Sequence, residues 1–336
     1  MKIVLAGLRV TPERVAELER VYPDVEFVVP AGREELIGLI EDADAVYGNL
    51  TDAEFEAARK LRWIQAVSAG VEFMWQIPSI TRTEVVVTNM RGAHAATIAE
   101  HAFAMLLSLT RALREFDAFQ ERHEWARGLQ SGHLVGIKGM TMGIVGFGNI
   151  GRAIARRALG FEMRVLAVDA HAAPGQDGVE EFRPGATPGL EHRVDGIEAV
   201  WGLERLDDLC REVDVLAVSA PITPRTRGLV GPSQIELLKP GSYLLVVSRG
   251  KIVDEPALIR ALESGKLAGA GLDVTATEPL PPDDPLWRAP NLIITPHTSA
   301  GSDLTWDLTW SILTENVGRF IRGEELVNVV DKELGY

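Results

Sequence analysis

The sequence predicts an α/β protein of two domains, each built on a doubly wound parallel sheet. Three observations predict it. A chain of 336 residues with 46% hydrophobic content can bury more than one core. Short Val-, Leu- and Ile-rich runs alternate with polar, helix-period stretches, which is the rhythm of βαβ units. In the second half those runs are apolar throughout, as expected of strands covered on both faces.

Taken in order, "KIVLAG", "VEFVVP", "AVYGN", "LRWIQAVSAG" and "EVVVTN" read as strands, and "TPERVAELERVY", "REELIGLIEDA" and "TDAEFEAARK" as the helices between them. The string "AATIAEHAFAMLLSLTRALREFDAFQ", from Ala95 to Gln120, keeps apolar residues three and four apart and contains no Gly or Pro, so it predicts one long helix. A second series starts at "MTMGIVGFGNIGRAIARRALG", continues with "MRVLAVDA", and resumes with "VDVLAVSAP", "GSYLLVVSRG", "GAGLDV" and "NLIITPH". The pattern "LTWDLTWSILTENVGRFIRG" is a last helix closed by Gly323, with thirteen residues after it (336 − 323) and no room for an appended regulatory domain. Between Ala173 and Ala199 the chain is rich in Gly, Pro and charge, which predicts a solvated surface insertion to which no function is assigned.

Charge narrows the function classes. A net charge of −14 and a pI near 5.0 argue against long contacts with nucleic acid or an anionic membrane, both of which need surplus Lys and Arg. The apolar run at the N-terminus is too short to span a bilayer and no export signal is evident, so a cytoplasmic location is expected. The one cysteine, Cys210, has no partner for an internal disulfide and reads as a core residue.

The first chemical motif is "GFGNIG", a strand followed by Gly146, Gly148 and Gly151 in G-x-G-x-x-G spacing and then by a helix. Gly146 permits the tight turn, Gly148 lets the backbone approach a pyrophosphate, and Gly151 lets helix and strand pack closely. The N–H groups of Asn149 and Ile150 at the helix start would face the phosphates. The next strand ends at Asp169, eighteen positions after Gly151 (169 − 151), where a carboxylate accepts from ribose hydroxyls and repels a 2′-phosphate. This is a Rossmann arrangement, and it predicts NAD(H) in preference to NADP(H).

Three later strand ends each present an ionisable group: Arg249 in "VVSRGKIVDE", Glu278 in "GLDVTATEPLP" and His297 in "NLIITPHTSA". In doubly wound sheets ligands bind beyond the carboxyl ends of strands, so these groups can meet beside the cofactor. His297 suits proton transfer near neutrality, Glu278 can orient its ring, and the planar fork of Arg249 suits a carboxylate.

With "SYLLVVSRGKIVDEPALIRALESGKLAGAGLDVTATEPLP", "PNLIITPHTSA" and the tail "LVNVV", the whole chain resembles the D-isomer-specific 2-hydroxyacid dehydrogenase family. The resemblance implies a flavodoxin-like substrate domain from both chain ends, residues 1–102 and 299–336, about a cleft with a Rossmann coenzyme domain at 103–298. It implies interconversion of a small 2-oxo acid and a D-2-hydroxy acid with NAD, catalysed by Arg249, Glu278 and His297, in a homodimer formed through the coenzyme domain near residues 103–120.

The same resemblance assigns the substrate carboxylate to the backbone N–H groups of Ala69, Gly70 and Val71, with Glu72 where relatives often have aspartate; Arg91, on the loop carried towards the cleft, reads either as a second anion contact or as one side of a surface salt bridge. It places Ala220, Pro221 and Thr226 under the adenine and ribose, with Ser219 where relatives often have histidine. It also places Val247, Ser248 and Asp273 on the nicotinamide side, Asp273 accepting from the carboxamide, and makes Ser299 and Ala300 neighbours of cofactor or substrate. Pocket shape is expected to depend on Leu50, Met90, Arg91 and Trp287.

Other features have plainer readings. The remaining histidines lack metal-ligand spacing, so no metal is expected. Trp306 and Trp310, four apart on the last helix, read as a packing stripe. Short-form phosphoglycerate and phosphite dehydrogenases are alternatives within the fold. Formate dehydrogenases carry glutamine in place of Glu278. An alternative of another class is a NAD(H)-sensing scaffold resembling corepressors, which turnover would distinguish.

Overall fold

The structure is a computed structural model that describes residues 1–129, 134–171 and 194–333. Most of the predicted insertion, with His133 and His192, therefore lies outside the described residues. The chain divides into two compact units, one containing Met1–His94 and Ser302–Tyr336, the other beginning at Ala95 and ending at Gly301.

The first unit holds five parallel strands, β1 (Lys2–Leu5), β2 (Glu26–Val28), β3 (Ala45–Tyr47), β4 (Trp63–Gln65) and β5 (Val86–Thr88), in the order β2-β1-β3-β4-β5. Helices α1 (Pro12–Val21), α2 (Arg33–Ile40) and α3 (Asp52–Ala57) are the connections. The starts of α1 and α3 are encoded locally. Thr11 and Thr51 are N-caps whose hydroxyls accept from Arg14 and Glu54 N–H, and the Glu54 carboxylate returns to the Thr51 N–H as a capping box.

The chain end joins this sheet through a buried polar network. The Asn316 amide donates to Gln65 Oε1 at 2.8 Å and accepts from Val327 N–H at 2.8 Å, and Gln65 Oε1 also accepts from the Thr88 hydroxyl at 2.8 Å. Such a network is satisfied at every member, which fixes one arrangement of the C-terminal segment.

The second unit holds seven parallel strands: β6 (Thr141–Val145), β7 (Arg164–Asp169), β8 (Ala199–Gly202), β9 (Val215–Val218), β10 (Ser242–Val246), β11 (Leu267–Leu272) and β12 (Leu292–Ile294). Their order is β12-β11-β10-β9-β6-β7-β8, so the winding reverses between β6 and β9. Alternate residues of one strand enter different cores: Val145, Val218 and Val246 pack on one face, Ile144, Ala217 and Leu245 on the other. That is why these strands read as unbroken apolar runs.

Helices α4 (Ala95–Thr110) and α5 (Leu113–Glu121) replace the single long helix expected over 95–120. Ala112 breaks it, with a left-handed φ of 51°. The Thr110 hydroxyl bonds back to Leu106 O at 2.9 Å, and the Thr110 carbonyl accepts from Val135 N–H at 2.8 Å, so a passing segment takes the acceptor that the next helical turn needs. Further helices are α6 (Asn149–Gly160), α7 (Leu206–Glu212), α8 (Pro232–Leu237), α9 (Glu255–Glu263) and, in the first unit, α10 (Asp303–Arg322). On α10, Trp306 and Trp310 each stack under an arginine, Arg9 and Arg14, at 5.1 and 5.2 Å. Among the described residues no helix is long and apolar enough to cross a membrane.

Candidate active site

The glycine turn stands at the reversal point of the seven-stranded sheet. Gly146 has φ of +90°, and a Cβ there would lie 2.6 Å from the backbone of Ala220, at the end of β9. A Cβ on Gly151 would lie 2.2 Å from Gly146 O, so α6 sits against the turn only because position 151 is glycine. Gly148 differs: a Cβ there would meet nothing within 4 Å. Open space therefore lies before the start of α6, where the first N–H groups of a helix have no partner within it.

Side chains brace this cradle. Ser219 donates from its hydroxyl to Gly146 O at 2.8 Å. Asp169 accepts from Phe147 N–H at 2.6 Å and from His171 N–H at 2.8 Å, tying the end of β7 to the turn. Thr226 is buried and donates to Pro221 O at 2.6 Å, which closes the loop after β9.

Asn149 Oδ1 and Ser248 Oγ are buried polar atoms with no hydrogen-bond partner among the described residues. A native interior rarely leaves such atoms unpaired. An open helix start, two unpaired polar atoms and a carboxylate at the next strand end together fit a dinucleotide.

The catalytic candidates follow three neighbouring strands of the same sheet, β10, β11 and β12. Arg249 follows β10, and its guanidinium donates to Ser248 O at 2.8 Å. His297 follows β12, and its Nδ1 lies 2.7 Å from Glu278 Oε2. A carboxylate only accepts, so Nδ1 carries the proton and Nε2 is left to act. Glu278 Oε1 accepts from Thr275 N–H at 3.1 Å, so both of its oxygens are oriented.

His297 has φ of 51°, a left-handed conformation unusual outside glycine. Asp273 holds it there. The Asp273 carbonyl accepts from His297 N–H at 2.8 Å, and its buried carboxylate accepts from Thr298 N–H at 2.9 Å, Ser299 N–H at 3.0 Å and the Thr295 hydroxyl at 2.6 Å. Hydrogen bonds to a charged group contribute about 1.5–3 kcal/mol each, against roughly 1–3 kcal/mol for one strained backbone residue, so the anchors outweigh the strain. Val247 is buried beside Ser248, and Ala300 is half-buried after the turn.

His101 and Thr295 are missing from the sequence-derived site. The Thr295 hydroxyl spends its one proton on Asp273, so His101 Nε2, 2.9 Å away, is the donor to Thr295. The only linear signal was a histidine on the apolar pattern of α4.

The remaining candidates, Trp287 apart, belong to the first unit. Within it, the carbonyls of Ala69 and Gly70 accept from the Asn89 amide at 2.9 Å and the Ser68 hydroxyl at 2.7 Å, which fixes the loop. No N–H of Ala69, Gly70 or Val71 donates to a described residue. Arg91 N–H donates to Asn89 Oδ1 at 3.0 Å. Leu50 and Met90, expected to shape the pocket, instead have 3% and 0% exposure and belong to the hydrophobic cores of that unit. Trp287 is exposed on the surface of the second unit and donates to Pro281 O at 2.8 Å.

Residues 103–299 match the family described as D-isomer specific 2-hydroxyacid dehydrogenase, NAD binding domain. A glyoxylate reductase of Korarchaeum cryptofilum is 35% identical over 91% of this chain and 88% of its own length. A D-3-phosphoglycerate dehydrogenase of Methanocaldococcus jannaschii is 30% identical over 92% of this chain, which spans 55% of that longer protein. The crystal structure of a D-isomer specific 2-hydroxyacid dehydrogenase family protein from Aeromonas salmonicida superposes with a TM-score of 0.78 at 31% identity, covering 98% of this chain and 99% of that one. The chain belongs to the D-isomer specific 2-hydroxyacid dehydrogenases and is an NAD-dependent oxidoreductase of that family.

Proposed function

We propose that this enzyme works chiefly as a reductase, converting a small 2-oxo acid such as glyoxylate, hydroxypyruvate or pyruvate to the 2-hydroxy acid, of D configuration where the product is chiral. The observation that carries the reading is the 2.7 Å contact of Glu278 with His297, on the same sheet as the glycine cradle. NADH, when bound, supplies the hydride that reaches the carbonyl carbon. His297 holds a proton at Nε2 and gives it to the carbonyl oxygen, so one hydride and one proton complete the alcohol. Glu278 keeps the ring in place through Nδ1 and stabilises the charged imidazolium. Arg249 binds the substrate carboxylate and draws charge from the carbonyl oxygen.

Asp169 disfavours a 2′-phosphate, which supports NADH over NADPH. Use of the soluble NAD(H) pool supports a cytoplasmic location, which cell fractionation tests. The glyoxylate reductase relative supports a short substrate. The decisive experiment follows NADH loss with purified protein and a panel of glyoxylate, hydroxypyruvate, pyruvate and a phosphorylated 2-oxo acid, ranked by kcat/KM. Loss of NADH with none of them sinks the proposal.

A homodimer through the second unit belongs to the same reading. α5 buries none of its residues, and with Phe116, Phe119 and Trp125 it borders an apolar groove; Trp125 is 93% exposed. Surfaces of that kind mark association sites. Light scattering of Trp125→Glu is expected to give a smaller particle than the unmodified chain, and an unchanged mass counts against this interface.

A further inference from the structure

We propose that Glu255 is a positioning residue for the catalytic pair, holding the Thr275–Ala276 peptide that aims Glu278 at His297. The inference rests on the roles proposed for Glu278 and His297 and extends them to a residue that touches neither.

Glu255 is the first residue of α9, and α9 is itself well fixed. Asp254 caps it by accepting from Ala257 N–H at 2.8 Å, and Ala257, Leu258, Ala261 and Leu262 are buried beneath it. From this rigid base the half-buried Glu255 carboxylate reaches across to accept from Ala276 N–H at 2.6 Å. The peptide it grips is shared by the active site. Thr275 N–H donates to Glu278 Oε1 at 3.1 Å, and the Thr275 hydroxyl donates to Thr277 O at 2.8 Å, so Thr275 shapes the turn on which Glu278 stands.

A second contact closes on the same peptide. A Cβ at Gly250 would lie 1.9 Å from Thr275 O and 2.8 Å from Ala276 N. Gly250 is the immediate neighbour of Arg249, so the backbone after β10 presses on the backbone after β11. Glu255 therefore holds a peptide that lies against Gly250 and leads into Glu278. This junction lies just beyond the paired ends of β10 and β11 and so adds to the pairing that relates Arg249 to Glu278.

Chemistry sets Glu255 apart from an ordinary surface carboxylate. Burial pushes its carboxyl above the usual range, and the nearby charges of Asp284, Asp254 and Glu278 push the same way, opposed by the Ala276 N–H.

The test uses the full chain with NADH and the 2-oxo acid that the unmodified enzyme reduces best. Glu255→Ala is expected to lower kcat by about 10- to 100-fold, the scale of a small misplacement, while KM for NADH stays within about twofold. Glu255→Gln keeps a carbonyl acceptor for Ala276 and is expected to recover kcat to within about threefold. If Glu255→Ala does not fold, Glu255→Asp keeps the charge on a shorter arm and is expected to show the same loss. Hydrogen exchange at residues 275–278 should rise in Glu255→Ala and not in Glu255→Gln, a readout that needs no turnover. Unchanged kcat in Glu255→Ala, equal losses in the Ala and Gln variants, or unchanged exchange overturns the role. An unmodified enzyme that reduces no 2-oxo acid overturns the proposed reaction instead, and the exchange experiment still decides whether Glu255 holds Ala276.

Discussion

Glu278 Oε2 and His297 Nδ1 lie 2.7 Å apart, on loops that follow different strands and are nineteen positions apart in sequence (297 − 278). The contact fixes which ring nitrogen carries the proton and directs the other away from the carboxylate. In the proposed reaction this orients the histidine at the end of a strand as the acid.

His297→Ala is expected to lower kcat by about 10²–10⁴-fold, the range supplied by a positioned general acid. NADH affinity, measured by fluorescence titration, should be nearly unchanged, because the cradle at Gly146–Gly151 is a separate part of the sheet. Activity surviving within a few fold removes His297 from the mechanism.

Asp273→Ala tests the anchor beneath that histidine. It strands the N–H groups of Thr298 and Ser299 and the Thr295 hydroxyl. Of these Ser299 is buried and Thr295 half-buried, and an unpaired buried group costs about 1–3 kcal/mol, so both the melting midpoint and kcat should fall. A melting curve that coincides with that of the unmodified enzyme contradicts the anchor.

Asp169 is expected to set cofactor choice. The unmodified enzyme should favour NADH over NADPH in kcat/KM, and Asp169→Ser should raise the NADPH-to-NADH ratio. The same change releases Phe147 N–H and His171 N–H, so some loss with NADH accompanies it. Equal efficiency with both cofactors before mutation refutes the assignment.

Cys210 provides a test by pH. Burial pushes its thiol from 9.0 up to about 12, with Asp207 adding to the rise. The folded protein thus keeps a proton that the unfolded chain gives up first. The contribution to stability is complete below pH 9 and is lost as pH rises from 9 towards about 12. At neutral pH a thiol reagent should modify the unfolded chain and leave the folded protein unlabelled; rapid labelling of the native enzyme contradicts the burial.

Much of the site was legible in the linear sequence because it depends on local rules. G-x-G-x-x-G spacing prescribes a turn whose first and third glycines are sterically required, and Gly146 and Gly151 meet that requirement through contacts at 2.6 and 2.2 Å. Apolar runs with no polar alternation announce strands covered on both faces, as at β6, β9 and β10.

Other positions were not legible, and each for a physical reason. Thr110 sits on a helical pattern, and only Val135, brought in by the tertiary path, takes its carbonyl and ends α4. Leu50 and Met90 lie next to candidate loops in sequence, yet side-chain direction puts both in cores. His101 and Thr295 lie 194 positions apart, and no spacing rule links them before the sheet brings them to 2.9 Å.

The sequence by itself determined which residue types stand at the strand ends and where the phosphate turn falls, because turns, caps and strand periodicity follow from near neighbours. Tertiary structure alone decided that Glu278 meets His297, that Asp273 spends its carboxylate on the turn behind that ring, and that Glu255 reaches Ala276. Those contacts join segments ordered only when β10, β11 and β12 pair, and pairing is a property of the whole sheet.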